Sequence, residues 1–283
     1  MHKFQFISPL VLISFLICLT ACKKENPAVF IEEINYNQTP HFKITTPNGT
    51  YYLEKQSGGF SSFADKHGTD WVQYRKSDSV TVPGSAASDF RGIPNLVHRG
   101  EQGGIGHPGF NKCNTEQLND STLISISHSG NYELKYIFSE QNVSVEITRA
   151  DPSRNYWFLY EGPIAGRFQP ETHLIFTNEG FHEEKPAIAG GNYIKGNFEW
   201  ICAGDQDYDQ VLLIKHETPD SLIDVAMYMG ASDKGNDSED GMVVIGFGRD
   251  EKHMPLMKQA TNLFILEFMD KDEFLERIDY LNL

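Results

Sequence analysis

The feature that most constrains this chain is a series of short segments in which polar and apolar residues alternate. His41–Thr46 reads HFKITT, and Gly49–Glu54, which begins within the turn dipeptide Asn48-Gly49, reads GTYYLE. Alternation with a period of two is typical of a strand with one buried face, and glycine-containing turns between such segments predict antiparallel pairing. Further strands are predicted at Thr122–His128, Tyr132–Phe138, Val143–Arg149, Tyr156–Tyr160, His173–Phe176, Phe198–Cys202, Val211–His216, Ser221–Met229 and Met242–Gly248.

Helical periodicity is confined to the end of the chain, where Met257–Glu267 and Lys271–Leu281 predict short helices. The chain has 283 residues, and an all-β sandwich or barrel can reach about 250 residues as one domain. No fixed repeat or low-complexity tract divides it. The sequence therefore predicts an all-β fold, an antiparallel β-sandwich of jelly-roll or mutarotase-like architecture with one or two short C-terminal helices, in a single domain over residues 31–283.

The N-terminal segment has the pattern of a secretory signal. Met1–Phe6 contains a lysine, and Ile7–Thr20 is almost wholly apolar but too short to span a bilayer stably. The sequence LTAC, which ends at Cys22, resembles the lipobox of bacterial lipoproteins. The resemblance implies cleavage after residue 21, lipidation of Cys22 and a tether over residues 22–30. Because lysines follow the cysteine, it also implies anchoring in the outer membrane, on the periplasmic or cell-surface side. An ordinary signal peptide with an incidental cysteine is the alternative.

Cleavage would leave two cysteines in the mature chain, Cys113 and Cys202. An oxidising compartment outside the cytoplasm permits a disulfide between them. Two buried thiols are the alternative, and the sequence favours neither.

The acidic composition limits the partners of this protein. Asp and Glu number 39 against 24 Lys and Arg, which gives a net charge of −15. Sequence-independent binding of nucleic acid needs basic residues that neutralise phosphates, so no nucleic-acid partner is expected. An acidic protein can still bind an acidic glycan where its few basic residues are gathered around the ligand.

No metal site and no cofactor are predicted. Asp205-x-Asp207-x-Asp209 begins like a calcium loop, but Gln210 stands where the turn glycine should be. The chain contains neither His-x-x-x-His nor Cys-x-x-Cys, so a zinc site has no support.

The longest segment without strand character is the glycine-rich stretch from Arg91 to Phe110, and we expect a functional site on this loop. Glycines allow close approach of a ligand and prolines fix the path of the chain. Histidine is suited to general base catalysis near neutral pH, and arginine binds a carboxylate or sulfate through two hydrogen bonds. A surface loop whose polar residues satisfy one another is the alternative. The candidates are His107 as the first choice of base, His98 as the second, Arg91 and Arg99 as anion-binding residues, and Asn95 as a further donor.

An aromatic segment, Tyr156–Glu161, forms the second candidate. On a strand the even-numbered residues share one face, and the odd-numbered residues, which include Trp157, share the other. We expect one face to be core. The other presents either Trp157 as a platform for a sugar ring with Glu161 beside it, or the Tyr160 hydroxyl as an acid if the faces are reversed.

Three later residues complete the candidate set. His216 ends a predicted strand and is suited to hold or share the acid role, and Tyr228 offers a hydroxyl for the same task. Arg249 follows the sequence Gly246-Phe247-Gly248 and is suited to bind a carboxylate.

Several segments together resemble secreted lipoproteins from bacterial polysaccharide-degradation clusters, in particular the group that acts on algal uronic-acid polymers such as ulvan. The segments that carry this resemblance are Gly49–Tyr52, Gly59–Trp71, Arg91–Asn95, His107–Gly109, Tyr156–Gly162 and Gly246–Arg249. That group includes polysaccharide lyases and an oligosaccharide dehydratase. The resemblance implies a β-sandwich enzyme that removes the proton next to a uronic carboxylate and expels a group from the adjacent carbon.

Two other functions remain open from the sequence. One is a glycan-binding lipoprotein without catalysis, in which Trp157, Trp71 and the arginines hold the sugar. The other is a glycoside hydrolase that pairs Glu161 with a second carboxylate. In each case the expected partners are an anionic oligo- or polysaccharide and, through the N-terminal lipid, a membrane.

Overall fold

The computed structural model describes residues 28–73, 94–101, 104–107, 112–186, 192–230, 241–258 and 261–281, and at 99–101, 104–107 and 279–281 it describes the backbone alone. In chain order the elements are β1 (Phe30–Tyr36), β2 (Thr39–Thr46), β3 (Gly49–Glu54), β4 (Phe60–Asp65), β5 (Asn95–Glu101), β6 (Gly104–His107), β7 (Cys113–Asn119), β8 (Thr122–Ser127), β9 (Glu133–Phe138), β10 (Asn142–Arg149), β11 (Trp157–Gly162), β12 (His173–Thr177), β13 (Gly180–Phe181), β14 (Ile194–Gly196), β15 (Trp200–Asp205), β16 (Gln210–His216), β17 (Asp224–Met229), β18 (Met242–Phe247), β19 (Asn262–Asp270) and the helix α1 (Lys271–Leu281). A 3-10 turn spans Ile164–Gly166.

The described strands form three antiparallel sheets. The first has four strands in the order β1-β2-β3-β4, and the second has nine in the order β13-β12-β15-β16-β19-β10-β9-β8-β7. The third has six strands in the order β14-β17-β18-β11-β5-β6. The prediction of an all-β, antiparallel sandwich is confirmed. In the described part of the chain, no helix is both long and apolar enough to cross a membrane.

One main core lies between the sheets. Phe158 of the six-stranded sheet stacks on Phe264 of the nine-stranded sheet, with ring centroids 3.8 Å apart and planes within 3°. The four-stranded sheet joins the same core, since Phe63 of β4 packs against Phe268 of β19. Stacked and edge-on aromatic pairs of this kind add stability beyond the apolar area that they bury.

The glycine-rich stretch was predicted to lack strands, and this prediction is wrong. Residues 95–101 and 104–107 form the hairpin β5–β6, and Val97 of β5 pairs with Trp157 of β11. Glycines hide the alternation that marks a strand in sequence, whereas the backbone hydrogen bonds that build a sheet do not depend on the side chain.

The helix predicted at Met257–Glu267 is also wrong, whereas the one predicted at Lys271–Leu281 is confirmed. Residues 262–270 form β19, which lies in the middle of the nine-stranded sheet between β16 and β10. Phe264 and Leu266 point into the core, while Leu263 and Ile265 on the other face are half-buried. A strand that is apolar on both faces loses the polar alternation, and its sequence then resembles that of a helix.

The possible disulfide between Cys113 and Cys202 does not form. Cys113 lies in β7 at one edge of the nine-stranded sheet and Cys202 in β15, six strands away. Neighbouring strands are about 4.8 Å apart, so these cysteines are separated by roughly 29 Å, against less than about 7 Å between the Cα atoms of a disulfide. Both thiols are buried, and Cys202 packs with Phe274 of α1.

Candidate functional site

The six-stranded sheet has an inner face in the main core and a second face, which we call the outer face. In the strand pairing, Trp157 of β11 lies opposite Val97 of β5. Leu159 of β11 lies opposite Asn95 of β5 on one side and opposite Gly246 of β18 on the other. These five positions therefore share the outer face. Trp157, Val97 and Leu159 belong to an apolar cluster separate from the main core. Of the two orientations that the sequence left open for β11, the structure has the one in which Phe158 and Tyr160 face the core and Trp157 and Glu161 lie on the other face.

Polar side chains are buried on or beside this outer face. Asn95, Glu161 and Arg249 are 3%, 4% and 5% exposed, and they lie with Trp157 around one small apolar cluster. Burial of charged and amide groups costs free energy unless each group finds partners, so packing alone does not favour such a set. Buried polar groups gathered on one face are typical of a binding or catalytic site.

Arg249 is the best defined of these residues. Its guanidinium carbon lies 4.8 Å from the centroid of the Trp157 ring, a cation–π contact. One of its terminal nitrogens, Nη2, donates to Nδ1 of His253 at 2.7 Å. Because Nδ1 accepts this bond, the imidazole is neutral and carries its proton on Nε2. His253 also adopts a left-handed backbone with φ 61°, a conformation that costs energy in a residue other than glycine.

The two glycines before Arg249 explain how its side chain reaches Trp157. A Cβ atom at Gly246 would lie 2.7 Å from Cδ of Arg249, so the arginine folds back across the space that this glycine leaves open. Gly248 has φ 66°, and a Cβ there would collide with Met257. The backbone therefore turns at Gly248 and returns the arginine over its own strand.

Two buried polar atoms on the outer face find no hydrogen-bond partner among the described residues. The described part of the chain supplies no hydrogen-bond partner for the side-chain oxygen of Asn95 or for the indole N–H of Trp157. A buried donor or acceptor left unsatisfied costs about 1–3 kcal/mol, which a ligand hydroxyl would recover on binding.

One side of the outer face reaches solvent, along a rim that sequence reasoning missed. Tyr193 and His253 are half-buried, with ring centroids 6.1 Å apart, and Lys195 pairs with Glu251 at 2.8 Å. Tyr193 directly precedes β14, Lys195 lies in β14, and Glu251 and His253 lie in the turn after Arg249. Neither segment has a recognisable motif. The only signal in the sequence is the position of His253 four residues after an arginine that itself follows two glycines.

Two predicted tyrosines lie on the inner face instead. The Tyr160 hydroxyl donates to the Trp71 carbonyl at 2.8 Å, and burial raises its pKa well above the usual range. The Tyr228 hydroxyl lies 3.0 Å from Nδ1 of His173, and burial raises its pKa as well. Both rings belong to the main core. We therefore leave them out of the candidate site, because their hydroxyls are used within the core.

Two predicted histidines are likewise in the core. His98 stacks on Tyr132 with ring centroids 4.3 Å apart. His216 stacks on Phe264, and its Nε2 lies 3.1 Å from Oδ1 of Asn262, while burial lowers its pKa. Alternation along β5 explains why His98 faces the core, because the neighbouring Val97 lies on the outer face. We leave both histidines out of the site.

The other candidates lie where no side chain is described. His107 is at a register position opposite Leu96 in the edge strand β6, and Arg99 lies in β5. Arg91 and Cys22 lie outside the described residues. The roles of these four residues stay predictions. Among the described residues, no group of three or more His, Cys, Asp or Glu side chains is arranged to hold a metal ion.

Comparison with known proteins bears on the fold. No family model matches the sequence, and no curated protein matches it either. Its structure is similar to the crystal structure of HI1317, with a TM-score of 0.54 and 10% identity over 87% of this chain and 98% of that chain. The two chains share a fold.

Two further crystal structures were matched at lower TM-scores. One is a putative aldose 1-epimerase from Escherichia coli K12, with a TM-score of 0.46 and 11% identity over 86% of this chain and 99% of that chain. The other is a galactose mutarotase-like protein from Lactobacillus casei ATCC 334, with a TM-score of 0.45 and 9% identity over 81% and 99%.

Proposed function

We propose that this protein is a carbohydrate-active lyase or dehydratase that performs β-elimination on uronic-acid-containing, ulvan-like oligo- or polysaccharides at the outer face. The observation that carries the proposal is the buried guanidinium of Arg249, held over Trp157 on the face of the sheet that also carries Asn95 and Glu161. Guanidinium groups bind carboxylates through paired, charge-assisted hydrogen bonds. Indole rings bury the apolar face of a ligand, and amide and carboxylate groups bond its hydroxyls.

Neutralisation of the substrate carboxylate is the first requirement of the reaction. The proton on the adjacent carbon becomes acidic when the negative charge that develops on the carboxylate is stabilised. Arg249 is suited to this task because its charge is buried and held in place before substrate binds. The side-chain amide of Asn95 supplies a further donor on the same face.

Proton transfer is the second requirement. A base takes the proton from the carbon next to the carboxylate, the electron pair forms a carbon–carbon double bond, and the bond from the adjacent carbon to oxygen breaks. The leaving oxygen takes up a proton and departs as water or as the hydroxyl of the next sugar. Glu161 is the buried carboxylate on the outer face, so it is the base proposed there. His107 is the base that the sequence predicts, but its register position is opposite Leu96, a residue of the main core, and not on the outer face.

The proposal is tested by incubating the purified protein with uronic-acid polymers and oligomers and recording ultraviolet absorbance and reducing ends. New absorbance from a conjugated uronate supports elimination, and the size of the product separates chain cleavage from dehydration of a terminal residue. Reducing ends without absorbance would indicate a hydrolase, and saturable binding without either product would indicate a glycan-binding protein. Either of these results would overturn the proposed reaction.

The base is identified by two variants in the same assay. Glu161→Gln and His107→Gln each remove a proton acceptor and keep a polar side chain of similar size. We expect the variant that lacks the base to lose about 100-fold or more in kcat, and the other to keep most of its activity. Wild-type rates in both variants would exclude both assignments.

We also propose that the mature protein is anchored in the outer membrane by a lipid on Cys22. Support comes from the apolar segment Ile7–Thr20 and the residues directly before the cysteine. In cells the Cys22→Ala variant is expected to leave the membrane fraction or to retain its signal segment. Mass spectrometry of the N-terminal peptide would show whether wild-type Cys22 carries acyl chains. An unmodified N-terminus would contradict this location.

A further inference from the structure

We propose that Asp224 is a positioning residue that holds Arg249 over Trp157 and so sets the affinity of the outer face for a sugar carboxylate. This inference rests on the proposed function for its ligand, but its structural part can be tested without activity. Asp224 does not belong to the outer face. It lies at the start of β17 with its side chain 4% exposed, on the core side of the six-stranded sheet.

The Asp224 carboxylate binds two backbone amides and no cation of the described residues. Oδ1 accepts from the N–H of Gly248 and Oδ2 from the N–H of Phe198, each at 2.6 Å. Loss of hydration at a buried carboxylate is costly, and two short bonds from neutral donors offset it only in part. In agreement, burial raises the pKa of Asp224 to about 7. A carboxylate whose burial costs this much free energy is expected to have a role beyond packing.

The hydrogen bond from Gly248 to Asp224 fixes the backbone of the residue directly before Arg249. The Gly248 N–H is held by Asp224, and its carbonyl accepts from the N–H of Leu256 at 2.8 Å. The backbone N–H and carbonyl of Gly248 are therefore both hydrogen-bonded. The residue has a left-handed conformation, and Met257 fills the space where a side chain would be. Arg249 is the next residue, so the turn at Gly248 sets the direction in which its side chain leaves the backbone.

The hydrogen bond from Phe198 to Asp224 connects the other side of the rim to the same carboxylate. Phe198 follows β14, the strand that contains Lys195 and directly follows Tyr193. Through its two oxygens Asp224 therefore links the segment that carries Tyr193 and Lys195 to the segment that carries Arg249. The ion pair between Lys195 and Glu251 joins the same two segments at the surface.

The test uses the full mature chain and three variants. Asp224→Asn keeps the shape but replaces one acceptor with a donor that faces a backbone N–H. Gly246→Ala displaces the Arg249 side chain directly, without a change at Asp224. Asp120→Asn alters an exposed aspartate outside the six-stranded sheet and is the matched control. Thermal unfolding confirms that each variant is folded. If Asp224→Asn does not fold, Asp224→Glu, which keeps both acceptors on a longer side chain, replaces it.

The structural readout is the Nε–H resonance of Arg249 in a nitrogen–proton NMR spectrum, assigned by its disappearance in Arg249→Lys. Because the guanidinium carbon lies 4.8 Å from the centroid of the Trp157 ring, we expect the ring current to shift this resonance in the wild type. We expect Asp224→Asn and Gly246→Ala to move it towards the position of exposed arginines, and Asp120→Asn to leave it unchanged. An unchanged resonance in folded Asp224→Asn would overturn the inference, whatever the activity.

The binding readout is calorimetric titration with D-glucuronate, with D-glucose as the uncharged control. In Asp224→Asn we expect the Kd for glucuronate to rise about tenfold or more and the Kd for glucose to stay within about twofold, because only the carboxylate contacts Arg249. Equal weakening for both sugars would assign Asp224 a purely structural role and overturn the inference. If the wild type bound neither sugar, the proposed function would fail, and the NMR result would still decide whether Asp224 positions Arg249.

Discussion

Replacement of Arg249 by glutamine is expected to lower kcat/KM for a uronate oligosaccharide by about 100-fold or more. The guanidinium is the buried cation on the described part of the outer face, and it is held over Trp157 before substrate arrives. Removal of one preorganised donor to a developing negative charge typically costs about 100- to 1000-fold in rate. Glutamine keeps a hydrogen-bond donor but removes the charge, so the loss measures electrostatic stabilisation rather than size.

Arg249→Lys separates charge from geometry. Lysine keeps the positive charge, but it cannot form the paired bonds of a guanidinium or lie flat on an indole ring. We expect it to recover part of the activity, about tenfold above the glutamine variant. Lys215→Gln, which removes an exposed cation in β16 of the nine-stranded sheet, is the control and should change kcat/KM by less than about threefold. If Arg249→Gln retained the wild-type rate, the outer face would not be the site of the reaction.

The positions of most strands along the chain could be predicted because one face of each strand is buried and the other is not. In β9 and β10 buried residues alternate with half-buried ones, and the predicted segments coincide with the strands to within one residue. The prediction failed where this contrast disappears. β19 is apolar on both faces, and the β5–β6 hairpin is rich in glycine. In both cases long-range pairing rather than local pattern determines the structure.

The candidate site could be predicted only in part, for a related reason. The alternation of β11 separates Trp157 and Glu161 from Tyr160, but it does not tell which face is core. That choice depends on Phe158 stacking on Phe264, a contact between residues more than a hundred positions apart. Arg249 was found because of its glycines. His253 was missed because the turn that brings it to Arg249 has no sequence signature.

Acidification is expected to destabilise the protein through His173. The side chain is fully buried, and burial lowers its pKa to about 4. Its Nε2 accepts from the N–H of Gln169 at 3.2 Å, so the proton is on Nδ1, which donates to the Tyr228 hydroxyl at 3.0 Å. Protonation of Nε2 would place a second donor opposite the Gln169 N–H and a charge in the core.

The direction of the effect follows from comparing the folded and unfolded chains. An unfolded histidine takes up a proton near pH 6.5, whereas folded His173 does so only near its pKa of about 4. Between these values the unfolded state binds more protons, so the free energy of unfolding falls as the pH falls. The contribution is complete above about pH 6.5 and decreases by about 2–3 kcal/mol by pH 4.5.

His173→Gln removes the titration and keeps an acceptor for the Gln169 N–H. Urea unfolding of both proteins between pH 7.5 and 4.5 gives the difference in their free energies of unfolding, in which the shared titration of the carboxylates cancels. We expect the wild type to lose its advantage over the variant as the pH falls. Tyr228→Phe, which keeps the histidine, should retain the wild-type pH dependence. Parallel curves for the wild type and His173→Gln would mean that the imidazole is already charged in the core or gains no proton on unfolding, and either would contradict the buried neutral pair with Tyr228.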